Sequence, residues 1–225
     1  QGGLVAIPTE TVYGLAGNGL NPQAVKNIFV AKGRPQDNPL IMHIQNAAQA
    51  ERYAQDIPEE YYELCRRFSP GPLTVILKKK DCVPMETSGG MDTVALRIPS
   101  HPVARAIIAA ADLPIAAPSA NLSGKPSPTS AQHCVDDLWG KVDAIVDGGD
   151  CMVGVESTVI SLAEEKPILL RPGSVTAEQL REVLPELEVH QAVTGELEQG
   201  AKAISPGMRY KHYSPNAKVT ILNGS

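Results

Sequence analysis

Apolar runs in this sequence repeatedly end in residues that can do chemistry. In VAIPTETVYGLAGNGL, residues 5 to 20, a strand-like lead runs into Pro8, Thr9, Glu10 and Thr11 and then into Gly14, Gly17 and Gly19. A segment built only for a core has no use for that strand end, so it reads as the wall of a site. AKGRPQDNPLIMHI, residues 31 to 44, sets Lys32 and Arg34 two residues apart and then places His43 inside an apolar run. Two cations on irregular backbone suit an anion such as a triphosphate. They also suit a plain helix stop, with Gly33 as C-cap and basic residues answering the dipole, and as helix-end cations both are expected to be exposed. His43 is either a packed histidine or a site residue. Arg97 interrupts the apolar run of TVALRIPSHP, where a buried charge needs a partner, either a protein carboxylate or a substrate carboxylate. APSANLSGKPSPT, residues 117 to 129, clusters Ser119, Asn121, Ser123 and Ser127 with Gly124 and three prolines, a set of small hydrogen-bonding groups suited to ligand contacts.

Other chemistries fail on spacing. Gly149 to Gly154 continues with Val155 and Glu156 where a Walker loop needs Lys and Ser or Thr, and GLAGNG has its glycines in the wrong order for a dinucleotide fingerprint. Cys65, Cys82, Cys134 and Cys151 form no Cys-x-x-Cys pair, and His133 with Cys134 lacks a second ligand pair, so reduced thiols are expected and no metal site. The net charge of -5 and pI near 5.6 give no global attraction for nucleic acid and favour small substrates. No run of about 18 apolar residues is present, and no basic leader precedes the first strand, so a cytoplasmic location is expected. The abrupt start and polar finish suggest a piece of a longer parent protein.

The elements that position these groups follow from periodicity. Val5 to Ile7, Leu40 to Ile44, Leu73 to Leu77, Val94 to Ile98, Ile115 to Ala117, Ala144 to Val146, Thr158 to Ile160 and Ile168 to Leu170 read as strands. Pro22 to Ala31, Ala47 to Ala54, Glu59 to Phe68, His101 to Ala111, Ser130 to Leu138 and Ala177 to Leu184 read as helices, with Asn21, Ser100, Ser130 and Thr176 as N-caps. The fold class is α/β with a twisted mixed sheet flanked by helices. Residues 1–184 form the domain. From 185 the chain turns rich in Glu, Gln and Gly and reads as a linker through Ala203, with 185–225 leading on to a missing second domain.

PTETVYGL, KGRP with NPL, FSPGPLT, LRIPSHP, APSANLSG, STV, LRPG and a late SPGMRYKHYSP, in this order, closely resemble the YrdC-like family of threonylcarbamoyl-AMP synthases, in its longer form. The resemblance implies an enzyme that joins L-threonine, bicarbonate or CO2 and ATP into threonylcarbamoyl-adenylate and pyrophosphate. Separate machinery then transfers the threonylcarbamoyl group to the tRNA adenosine next to the anticodon. By the same matching, Thr11, His43, Arg97, Ala117 and Ser157 line the threonine pocket. Lys32, Arg34, Asn38, Thr93, Ser119, Asn121, Ser127, Arg171 and Tyr213 serve ATP, with Lys32 and Arg34 in the catalytic role. Mg²⁺ is expected with the triphosphate and without a dedicated carboxylate cage; Glu10 and Glu156 are its candidates by proximity only. ISPGMRYKHYSP is expected either to dock on a further domain or to fold back over the nucleotide with Tyr213 on ATP. Two rivals remain: an RNA-binding or ribosome-assembly module, opposed by the acidic balance and by only two Phe and one Trp, and carbamoyl transfer from carbamoyl phosphate. No membrane partner and no direct tRNA binding are expected.

Overall fold

The computed structural model describes residues 2–36 and 38–194. Tyr213, and with it the lid expectation for residues 204–215, lies outside them. Among the described residues the ten strands are β1 (Val5–Ile7), β2 (Gly14–Asn18), β3 (Ile41–His43), β4 (Leu73–Lys78), β5 (Thr93–Arg97), β6 (Ile115–Ala116), β7 (Ala144–Ile145), β8 (Thr158–Ser161), β9 (Ile168–Arg171) and β10 (Glu188–Val189). They form one mixed sheet in the order β10-β9-β8-β4-β5-β3-β6-β2-β1-β7. β3 with β5 and β4 with β8 are parallel, whereas β4 with β5, β3 with β6 and β8 with β9 are antiparallel.

The helices are α1 (Pro22–Lys32), α2 (Glu59–Phe68), α3 (Met85–Ser88), α4 (Pro102–Ala111), α5 (Ala131–Leu138), α6 (Ala177–Arg181) and α7 (Gln191–Thr194), and Ala47–Arg52 is a 3₁₀ segment. Asn21, Ser130 and Thr176 cap as expected, Thr176 in a full capping box. At α4 the cap is His101 rather than Ser100: its ring Nδ1 accepts from the Val103 amide, and Pro102 takes the first helical position. α1 stops at Gly33, whose φ of 63° is the left-handed conformation of a helix C-cap. Two strands depart from the sequence reading. β2 forms over glycines that read as loosened backbone. A Cβ on Gly14 would stand 3.0 Å from the Ala117 Cβ, so glycine there permits close strand packing. β10 pairs in parallel with β9, so the sheet continues past Leu184, where the sequence reading begins its linker.

The two-residue period of strands divides the sheet faces. Met42, Leu73, Val75, Leu77, Val94, Leu96, Ile98 and Ile160 point into the main core with Tyr61, Leu64 and Cys65 of α2 and Leu180 of α6. Their alternates, Ile41, Ile76, Ala95 and Val159, form a small separate cluster with Leu170 on the other face. His43 and Arg97 share the phase of that second set, and so does Thr74. A core-facing position could not hold them; the second face can. The four cysteines are free thiols. Among the described residues no helix is long and apolar enough to cross a membrane.

Candidate functional site

Thr11, Arg34, His43, Arg97, Ala117, Ser119, Ser157 and Arg171 converge on one narrow cavity of about 70 Å³, with Glu156 also in its wall. They come from the ends of seven separate segments, which is why the sequence scatters them. The segment from Thr9 to Tyr13 is held from both sides. Val153 and Gly154 donate backbone bonds to the Glu10 and Thr11 carbonyls at 2.8 and 3.0 Å. The Tyr13 hydroxyl donates to the Gly149 carbonyl at 2.8 Å and accepts from the Gly148 amide. The loop 147–156 is thereby fastened across the strand end that opens the chain.

Arg97 has a protein partner. Its Nη2 meets Glu10 Oε1 at 2.7 Å, and Nε reaches the Gly71 carbonyl at 3.4 Å; the second Glu10 oxygen accepts from the Ser100 amide at 3.1 Å. Arg97 and Glu10 are each 5% exposed. Burial pushes the Glu10 carboxyl up, and the Arg97 guanidinium, as charge and as donor, more than reverses this, so the net shift is downward. Glu10 is thus committed to Arg97, which removes it as a Mg²⁺ candidate, while Arg97 Nη1 has no hydrogen bond among the described residues. The sequence named Glu10 only as a Mg²⁺ candidate and missed it as the partner of Arg97. Its signal was there, since a glutamate at an apolar strand end and an arginine inside an apolar strand each require an opposite charge.

His43 is 2% exposed. Nδ1 lies 3.3 Å from the Ile115 carbonyl, so it carries the proton, and Nε2 is buried without a partner. Burial, then the like charge of Arg97, pushes its pKa down to about 3, so the ring is neutral. Arg171 crosses to Ser157, donating from Nε to the backbone carbonyl at 3.0 Å and from Nη2 to Oγ at 3.1 Å. Ser157 Oγ is also 2.8 Å from Thr74 Oγ1. A register shift at Val159/Ile160 sets Val159 opposite Arg171 and leaves Leu170 as the extra residue, and this bulge re-aims the end of β9 toward the cavity. Burial pushes the Arg171 guanidinium down to about 10, against the pull of Glu156 and with the repulsion of Arg97.

Lys32 is not the exposed helix-end cation of the sequence reading. It is 2% exposed, and its Nζ donates to the Ser119 carbonyl, to the Asn121 carbonyl at 2.8 Å and to Asn121 Oδ1 at 3.4 Å. It ties the end of α1 to the loop after β6 and does not line the cavity; Arg34, half-buried, does. Burial, then the Arg34 charge, pushes the Lys32 amine down to about 7, with Asp137 and Glu156 pulling the other way. Ser127 donates to Glu156 Oε1, and Asn121 is buried beside Lys32. The Asn38 side chain is buried with both polar atoms unpartnered among the described residues. Thr93 sits at the far end of β5, four residues and roughly 13 Å from Arg97 on the same face. There it lines a separate, larger cavity of about 770 Å³. Among the described residues no group of three or more His, Cys, Asp or Glu can hold a metal.

Residues 1–173 match the family model of Sua5, YciO and YrdC proteins, described as telomere recombination. Residues 175–225 match that of the threonylcarbamoyl-AMP synthase C-terminal domain, over much of the stretch read above as linker. The chain is 54% identical over 224 residues to the threonylcarbamoyl-AMP synthase of Pyrococcus abyssi, covering 100% of this chain and 65% of that protein. It is 52% identical over 223 residues to that of Bacillus subtilis, covering 99% and 64%. Against the crystal structure of P. abyssi Sua5 complexed with L-threonine it gives a TM-score of 0.91 at 54% identity, covering 96% of this chain and 63% of that one. The chain therefore spans about two thirds of the length of these relatives.

Proposed function

The chain belongs to the Sua5, YciO and YrdC family, and from that premise we propose that it is an L-threonylcarbamoyladenylate synthase. The observation that carries the reading is the convergence of Arg97, Thr11, His43 and Ser157 with Arg34 and Arg171 on one cavity that holds no nucleophile and base pair. Its one histidine bonds a backbone carbonyl instead of activating a hydroxyl, and no cysteine lines it. Such a site suits a reaction in which the substrates supply the nucleophile. The neutral amine of threonine adds CO2, losing a proton, to give a carbamate. The carbamate oxygen attacks the α-phosphorus of ATP, the bond to the bridging oxygen breaks, and pyrophosphate leaves with the electron pair. The protein's share is positioning and charge neutralisation. Arg97 offers its remaining edge to the threonine carboxylate. Arg34 and Arg171 face the phosphates, and Lys32 contributes its charge from behind the Ser119 to Asn121 loop.

Mg²⁺ fits this donor set only as a passenger on the triphosphate, where it would neutralise phosphate charge. With Glu10 committed to Arg97, Glu156 is the carboxylate left in the cavity wall to meet it. The proposal includes a cytoplasmic setting, which the four free thiols suit, and downstream enzymes that pass the threonylcarbamoyl group to tRNA. Incubating the protein with labelled ATP and bicarbonate, with and without L-threonine, tests it. Threonine-dependent appearance of an adenylate with pyrophosphate is expected; pyrophosphate release that ignores threonine, or no adenylate at all, overturns the proposal.

A further inference from the structure

The direction of one proton in the cavity wall can be read from the hydrogen bonds behind it. Thr9 Oγ1 lies 2.6 Å from the Val12 carbonyl, which can only accept, so the single hydroxyl proton of Thr9 is spent there. The same oxygen lies 2.9 Å from Thr11 Oγ1, a contact in which either atom could donate when taken alone. With the Thr9 proton already placed, Thr11 must be the donor. The amides of Thr11 and Val12 also point at Thr9 Oγ1, at 3.2 and 3.3 Å, which holds that oxygen in place as an acceptor. Thr11 makes no other side-chain hydrogen bond among the described residues, so all it has left for a ligand is lone pairs. His43 reaches the same condition by another route: Nδ1–H is spent on the Ile115 carbonyl, and the buried, unpartnered Nε2 can only accept. The pKa of about 3 keeps it so throughout the neutral range. Two walls of one cavity therefore offer acceptors and no donors.

We propose that Thr9, which does not line the cavity, is a positioning residue that fixes the Thr11 hydroxyl as an acceptor, so that the site selects an amino acid whose β-substituent donates a hydrogen bond. The inference rests on the threonine reading above and deepens it. A site with buried acceptors rejects an isostere without the donor, because binding then strands those acceptors.

The probe is (2R,3R)-2-amino-3-fluorobutanoate, the spatial counterpart of L-threonine in which fluorine replaces the hydroxyl at similar size and cannot donate. Binding of it and of L-threonine is measured by calorimetry on the wild type, on Thr9→Ser, which keeps the hydroxyl, and on Thr9→Val, which keeps the shape and loses it. The wild type should prefer threonine by at least about tenfold, Thr9→Ser should retain that preference, and Thr9→Val should lose most of it while its ATP affinity stays unchanged. In Thr9→Val the Thr11 proton is free to turn toward the ligand, and that is what relaxes the preference. A purely structural role for Thr9 would weaken both ligands alike and leave their ratio intact. The proposal is overturned if Thr9→Val keeps the wild-type ratio, or if Thr9→Ser loses it as fully as Thr9→Val. Should Thr9→Val not fold, Thr9→Ala takes its place. Equal binding of both compounds by the wild type overturns the proposal without any variant. These outcomes stay separate from the function itself, since threonine-dependent adenylate formation by the wild type can hold while the preference fails.

Discussion

Arg97 and Lys32 are both buried cations serving the same cavity, yet they are held in opposite ways. Arg97 faces a full counter-charge, Glu10 at 2.7 Å, and that carboxylate is fixed in turn by the Ser100 amide. Lys32 faces only neutral oxygens, two backbone carbonyls and one side-chain amide. A cation whose charge is cancelled locally keeps its geometry and has little field to spare. Its value to a ligand is shape, the planar edge still open for a carboxylate. A cation caged by dipoles has spent its donors and has no counter-charge to cancel it, so while protonated its field reaches the proposed phosphate site through low-dielectric surroundings. On the proposed function, the two halves of the cavity divide the work: one side recognises, the other attracts. The difference also shows in protonation, since the Lys32 amine is pushed down to about 7 while the Glu10 carboxyl is held below its usual range.

The largest test strikes the paired side. Glu10→Ala leaves the Arg97 guanidinium buried without a counter-charge and should cost about 3 to 5 kcal/mol of unfolding free energy, read from denaturant unfolding. Glu10→Gln should cost less, because its amide oxygen still accepts from Arg97 or Ser100, although it cannot serve both. Since the folded carboxyl titrates below its ordinary value of 4.5, the pair's contribution is complete above that pH and fades as pH falls through the lower folded value. A loss below about 1 kcal/mol in Glu10→Ala would mean that Arg97 needs no counter-charge, and the contrast with Lys32 would dissolve. Next in size is Arg97→Lys, which keeps the charge but cannot hold Glu10 and a ligand carboxylate at once. Threonine binding should weaken by about 1.5 to 3 kcal/mol, with ATP binding nearly unchanged; equal weakening of both in calorimetry would make Arg97 a purely structural residue.

The same contrast explains what the sequence could disclose. Strands β1 and β3 to β9 were legible because their apolar runs are local, and Arg97 stood out because a charge inside such a run is anomalous. β2 was not legible, since Gly14 favours a loop in isolation and is selected here by the proximity of Ala117, over a hundred residues away. The burial of Lys32 was hidden for a related reason. Its end-of-helix position is local and suggests exposure, whereas the Ser119 and Asn121 carbonyls that enclose it are 87 and 89 residues distant. Glu10 and Arg97, again 87 apart, could each be recognised as needing a partner, but not assigned to one another. Thr9 was hidden most completely, because its role lies in where a proton points.

A smaller effect is expected on the dipole-caged side. Lys32→Met removes the charge at similar length and leaves the Ser119 and Asn121 carbonyls without their donor, which should cost about 1 to 3 kcal/mol near neutral pH. The sign of its pH dependence is the sharper readout. Lys32 titrates at about 7 when folded and at its ordinary value of 10.5 when unfolded, so between these values the unfolded chain binds more protons. Wild-type stability should therefore rise relative to Lys32→Met as pH climbs from 7 toward 10, with a slope of at most about 1.4 kcal/mol per pH unit. A difference that is flat or falls with pH would show that Lys32 stays charged throughout, held by its three acceptors as firmly as Arg97 is held by Glu10.

The smallest effect belongs to the hydroxyl pair behind Arg171. Thr74 is fully buried, and its only side-chain hydrogen bond among the described residues is the 2.8 Å contact with Ser157 Oγ. Ser157 already accepts from Arg171 Nη2, so if Thr74 donates as well, both Ser157 lone pairs are filled and its own proton is left for the cavity, the opposite polarity to Thr11. Thr74→Val keeps the shape and removes the hydroxyl. It should cost about 1 kcal/mol or less of stability and leave threonine and ATP affinity unchanged, because Ser157 still receives Arg171 and still has its proton to give. Tighter substrate binding in this variant would instead mean that Ser157 had been donating to Thr74, its proton newly released to the ligand. In that case Ser157 would join Thr11 and His43 as a third cavity group whose proton is spent behind the wall, and the division between its two sides would lie at Arg171 instead of at Ser157.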